Sequence, residues 1–162
     1  MPTQLEPPFR ELLQLRLIAT LGTENAGGSI HLTAVWFLFE NESLFVATSS
    51  KTKKARNILA RPKASLMIDM RKPGRERGIS ATGNAELISG EKSKELNRRI
   101  HGRYLSLAAM ADSQIEPVFA SFDDVTIRFK PESWFTWDMA ALDAQAFGGR
   151  LGATPGYLLP LD

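Results

Sequence analysis

The chain has 162 residues, 43% of them hydrophobic and 23% charged, a length that suits one domain able to bury roughly two-thirds of its unfolded surface and a composition that excludes both a disordered chain and an integral membrane protein. Cysteine is absent, which removes disulfide frameworks, thiolate catalysis and Cys-held zinc or iron–sulfur centres. Twenty basic residues against 18 acidic ones leave a net charge of +2, too small an excess to form a nucleic-acid-binding sheath, so any anion site has to be local.

The opening Met1-Pro2-Thr3-Gln4-Leu5-Glu6-Pro7-Pro8 has neither the basic nor the apolar segment of a leader, and no apolar run approaches the ~20 residues that span a bilayer. A cytoplasmic location is the expectation, with no membrane partner. After the two prolines, Phe9 to Leu15 reads as a short helix and Arg16 to Leu21 as the first strand. Glu24 to Gly28 is turn chemistry. It leads into Ser29 to Phe39, where Ile30, Leu32, Ala34, Trp36 and Leu38 share one face of a strand and Val35, Phe37 and Phe39 the other. Glu40 to Ser43 is a tight polar connection to a third strand, Leu44 to Thr48.

Ser49 and Ser50 offer capping oxygens to a helix over Thr52 to Ala60, which Arg61-Pro62 ends. Lys63 to Met70 and Gly78 to Ile88 are further strands around a polar turn, and Gly83 within the second predicts a bulge or a close backbone approach. Glu91 to about Met110 reads as a helix with a weaker helical stretch to Phe119, Asp124 to Phe129 as a strand, and Pro131 to Ser133 as a turn into Trp134 to Trp137. Residues 1–138 therefore form the domain. Residues 139–162 read as an Ala-rich and then Gly/Pro-rich tail, mobile or laid over a dimer partner. About six strands joined mostly by short turns, with few helices, favour a small antiparallel barrel, and barrels of this size have filled interiors. A large cofactor must then bind outside, in a groove or between subunits.

Chemistry concentrates at Thr48-Ser49-Ser50-Lys51-Thr52-Lys53-Lys54-Ala55-Arg56-Asn57, where a strand hands over to a helix. A helix start offers unpaired N–H groups and partial positive charge, and hydroxyls with ammonium groups complete a site for a phosphate monoester. Lys53 and Lys54 stand four and three residues before Asn57, so all three can face one site. His31 and His101, with no cysteine to join them, form no metal cluster, and Asp69, Asp123 and Asp124 show no spacing that forces a catalytic pair. Neither histidine takes a role, no catalytic side chain emerges, and no metal is expected. Arg71, Lys72, Arg75 and Arg77 form a second basic cluster around a turn, able to meet a polyanionic tail.

The ordered pattern Leu32-Thr33-Ala34-Val35-Trp36-Phe37, short turn, Leu44-Phe45-Val46-Ala47-Thr48-Ser49-Ser50, Lys53-Lys54-Ala55-Arg56-Asn57-Ile58 and then Pro62 before an apolar strand resembles the FMN-binding split-barrel family related to pyridoxamine 5′-phosphate oxidase. Gly78 to Ala85 and Pro131 to Trp137 fit the same likeness, which covers about residues 10 to 137. The resemblance implies a mainly β fold, a six-stranded antiparallel split β-barrel of Greek-key type with peripheral helices, working as a homodimer with FMN at the interface. It implies that Lys53 and Lys54 hold the phosphate with Thr48 and Ser49, that Thr33, Ala34, Val35 and Trp36 lie along the isoalloxazine ring beside Ala47, that Asn57 is a further partner, and that Gly78 and Trp137 approach from other strands or the second subunit. A flavin-dependent oxidoreductase acting on a small molecule follows. The Arg/His-containing substrate signature of the vitamin B6 oxidases has no counterpart at Trp137 to Ala140 or Phe147 to Leu151, which leaves the substrate open. The deazaflavin F420 on the same barrel, and a non-catalytic module that stores or senses flavin or haem, are the alternatives.

Overall fold

The computed structural model describes residues 4–160, so the extreme ends of the expected domain and tail lie outside the described residues. The chain opens with α1 (Pro7–Arg10), which Pro7 can start because its missing N–H is not needed there, and a 3-10 turn (Glu11–Leu13) that buries Leu12 and Leu13 completely. Strands β1 (Ala19–Glu24), β2 (Ile30–Val35), β3 (Leu38–Glu40) and β4 (Ser43–Thr48) follow, then α2 (Lys53–Ala60), β5 (Lys63–Met70) and β6 (Arg77–Ile88). Three helices, α3 (Glu91–Tyr104), α4 (Leu107–Ala111) and α5 (Glu116–Phe122), lead to β7 (Val125–Asp138) and to α6 (Met139–Phe147) and α7 (Arg150–Ala153).

All seven strands form one antiparallel sheet in the order β2-β1-β5-β6-β7-β4-β3. β2 and β3 are its two edges, yet only Trp36 and Phe37 separate them in the chain. The sheet therefore curls until its edges approach, which gives a half-barrel. Here the structure corrects the expectation of a single strand over Ser29 to Phe39 and of six strands in all. The break is stabilised by a side chain: the Phe37 N–H, which has left the β2 ladder, donates to the Tyr104 hydroxyl at 3.3 Å, and that hydroxyl donates to the Leu17 carbonyl at 2.6 Å.

The alternation along β2 also has the opposite sense to a buried stripe of Ile30, Leu32 and Ala34. Those three point outward and are exposed, while Val35, Phe37 and Phe39 enter the core. Inside the curl, Phe37, Phe129, Leu21, Ile68, Ile79 and Ile127 are completely shielded, so the interior is filled. No cavity for a large ligand can lie there.

β7 runs without interruption through Pro131, where a turn was expected. The sheet absorbs the proline at a bulge: Thr82 pairs with Ser133 and Gly83 with Pro131, leaving Glu132 as the extra residue. Gly83 is required there, since a Cβ on it would lie 2.1 Å from the Lys130 carbonyl oxygen. Within the segment 139–162, α6 follows β7 directly, capped by the Asp138 carboxylate accepting from the Ala141 N–H at 3.0 Å. α7 follows α6 closely, and the Asp143 carboxylate accepts from Leu151 N–H at 3.0 Å and Gly152 N–H at 2.8 Å. Among the described residues no helix is long and apolar enough to cross a membrane.

Candidate functional site

At the β4–α2 junction the cap of the helix is Thr52, two residues later than Ser50. Its hydroxyl accepts from the Ala55 N–H at 3.4 Å, donates to the Ser49 carbonyl at 2.8 Å and lies 3.2 Å from the buried Thr48 hydroxyl. The Ser49 hydroxyl accepts from the Lys51 N–H at 3.2 Å. Ser50 is engaged from outside the turn, because its N–H and its hydroxyl donate to the two oxygens of Asp124, each at 2.6 Å. Those bonds from Ser50 hold the Asp124 carboxyl below its ordinary range.

Along α2 the three residues expected to converge separate by depth. Lys53 is exposed and Lys54 half-buried, whereas Asn57 is buried and its amide donates to Thr23 Oγ1 at 3.1 Å and Asn25 Oδ1 at 3.0 Å. Spacing fixes the direction of a Cβ and leaves the reach of the side chain open: the short amide ends on β1 and the turn after it, and the long ammonium of Lys53 extends to water. Asn57 thus ties α2 to the barrel.

Lys54 points into a cleft of about 410 Å³ that also receives Ala34, Val35 and Trp36 from the end of β2 and Ala47 from β4. Phe119 of α5 and Asp123 close its other side. Five of the residues singled out from the sequence are therefore brought together, and Thr33 adjoins them with a buried hydroxyl that has no hydrogen-bond partner among the described residues. Trp36 is held by stacking, with ring centroids 4.9 Å from Tyr104 at 3° and 5.6 Å from Phe119 at 25°. Gly78 and Trp137 do not line this cleft. They are cross-strand neighbours on β6 and β7, and the Trp137 indole lies so close over Gly78 that a Cβ there would sit 2.0 Å from its ring.

The residues that sequence reasoning left without a role are His101, Asp123 and Asp124. His101 is only 1% exposed, its Nε2 lies 2.8 Å from Asp123 Oδ2, its Nδ1 has no partner among the described residues, and Phe119 packs against its ring. Asp123 bridges this histidine and the cleft containing Lys54. Burial pushes the Lys54 ammonium below its ordinary value, and the negative charge of Asp123 opposes the shift without cancelling it. A half-buried cation in that balance suits a further anionic partner, as a phosphate-bearing cofactor would supply. No local spacing announces the cluster, because its members come from α2, α3 and the α5–β7 junction.

The family described as pyridoxamine 5′-phosphate oxidase matches residues 5–138. With most of the described chain matched, the protein belongs to that family. A conserved hypothetical protein of Mycobacterium tuberculosis has the same fold at 22% identity and a TM-score of 0.71, covering 86% of this chain and 88% of its own. A structure described as an F420 reductase matches at 20% identity and 0.63 over 81% and 98% of the two chains. The haem storage protein HutZ of Vibrio cholerae matches at 21% and 0.63 over 82% and 94%. No curated protein sequence matches this chain.

Proposed function

We propose that the protein is an FMN-dependent oxidoreductase of the cytoplasm that acts on a small molecule and works as a homodimer. The observation that carries this reading is the union of Ala34, Val35, Trp36 and Ala47 with the half-buried Lys54 in one cleft beside a helix start, in a chain of the pyridoxamine 5′-phosphate oxidase family. When bound, the flavin would supply hydride or electron exchange at its N5. The chain supplies position and electrostatics. Backbone groups of Thr33 to Trp36 would lie along the ring, and Lys53 and Lys54, with Thr48 and Ser49, would hold the phosphate.

The dimer reading rests on the outer face of the curl. Ile18 just before β1, Ile30 and Leu32 on β2 and Phe135 on β7 are 49%, 61%, 65% and 58% exposed, apolar side chains on the outside of the sheet that a second copy would cover. Gly78 and Trp137 lie on that side of β6 and β7, so Gly78 and Trp137 of the partner subunit would complete the cleft. A deazaflavin reductase is the second reading, favoured by the basic group at Arg71, Lys72, Arg75 and Arg77 as a seat for a polyanionic tail. A flavin- or haem-holding module is the third, and turnover of a reduced nicotinamide with an acceptor separates it from the two enzymes.

Fluorescence titration with FMN tests the assignment. Lys53→Ala combined with Lys54→Ala is expected to abolish FMN retention while the melting temperature stays near that of the parent, since neither ammonium is part of the core. Unchanged FMN affinity in the double variant overturns the phosphate assignment.

A further inference from the structure

Both carboxylates at the α5–β7 junction stand against the segment that the flavin reading gives to the phosphate: Asp124 holds Ser50, next in the chain to Ser49, and Asp123 shares the cleft with Lys54. Asp124 takes the N–H and the hydroxyl of Ser50 at 2.6 Å each, on the turn that opens α2. Asp123 stands in the cleft with Lys54 and is fixed there by the Nε2 of the buried His101 at 2.8 Å. One carboxylate therefore satisfies the donors of Ser50, on the turn two residues before the Thr52 cap, and the other supplies negative charge beside the half-buried Lys54 cation. Donors on the turn and a cation beside the helix start are the two attractions that such a site would exert on a phosphate.

We propose that Asp123 and Asp124 compete with the phosphate of the cofactor for Lys54 and for the Ser50 N–H, and so set the charge of cofactor that this chain accepts. The proposal rests on the flavin reading and concerns which flavin is held. A doubly charged phosphate monoester meets Asp123 across Lys54 and has to displace Asp124 from Ser50. A singly charged phosphodiester arm, or a flavin without phosphate, meets less repulsion. His101 acts as a positioning residue, because a buried imidazole bonded to Asp123 keeps that carboxylate turned toward the cleft.

The test compares FMN with riboflavin on the full chain, by fluorescence titration at pH 8, where the monoester is a dianion. Asp123→Asn keeps a side chain able to meet His101 and removes the charge. It is expected to tighten FMN about tenfold, which lies between the bulk-water and near-surface energies of one charge–charge contact, and to leave riboflavin within about twofold. Asp124→Ala, an exposed position whose loss does not threaten folding, frees the Ser50 donors and is expected to tighten FMN in the same direction, with riboflavin again unmoved. An FMN-to-riboflavin affinity ratio that is unchanged, or lowered, in both variants overturns this proposal while leaving the flavin reading intact. Binding of neither flavin to the parent or to either variant overturns the flavin reading, and this inference with it.

Discussion

Asn57 shows how a residue type chosen for ligand contact can serve the fold instead. Its amide is buried and makes two side-chain bonds, a buried one to Thr23 on β1 and a partly buried one to Asn25 just beyond it. Removing one member of a buried hydrogen-bonded set costs about 1–3 kcal/mol, since its former partners stay desolvated. Asn57→Ala is accordingly expected to lower stability by about that amount in urea unfolding, with FMN affinity changed far less than by the Lys53 and Lys54 substitutions. Lys54 is the opposite case: half-buried, facing a cleft and only partly compensated by Asp123. Sequence spacing put both residues on one side of α2, which is correct for their Cβ atoms. Depth decided their roles, and depth depends on what the barrel packs beneath the helix.

Among the elements, those with a strong period or an unambiguous breaker were legible: β4, α2, β5 and β6 lie close to where alternation and Arg61-Pro62 put them. The long apolar run over Ser29 to Phe39 reads as one strand because nothing local distinguishes a continuous strand from one that crosses between the two edges of a curled sheet. What marks the break is the Tyr104 hydroxyl on the Phe37 N–H, contributed from 67 residues away. Pro131 was misread for a related reason. A proline ordinarily ends a strand, and here Gly83 on β6 admits the Lys130 carbonyl closely enough to form a bulge. Gly83→Ala should cost about 2–3 kcal/mol by overpacking against backbone that cannot rotate away. Gly27→Ala, where a Cβ meets nothing within 4 Å, should stay within about 0.5 kcal/mol. Thermal melts of the two variants compare the sites directly, and equal melting temperatures would contradict the packing described at the bulge.

The whole molecule follows from the filled interior. A half-barrel packed with Phe37, Phe129, Ile68, Ile79 and Ile127 leaves no room inside for a flavin, so the proposed flavin would lie against the outer wall, where Ala34, Trp36, Ala47 and Lys54 meet beside Phe119. That wall continues into exposed apolar residues on β2 and β7, and a second copy covering them would bring Gly78 and Trp137 of the partner subunit toward the cleft. The site was partly readable from the chain because its β2, β4 and α2 members fall within one stretch. The His101, Asp123 and Asp124 contribution is not, since it depends on α3 packing across β4 and β7 and on α5 packing against α3. The most direct test of a flavin held between two subunits is gel filtration of the protein loaded with FMN, followed by flavin absorbance and light scattering across the eluted peak. The account predicts flavin co-eluting at the mass of a dimer with about one flavin per chain, and a Leu32→Glu variant that elutes as a monomer without flavin. A parent protein that elutes as a monomer, or as a dimer from which FMN separates completely, would contradict it.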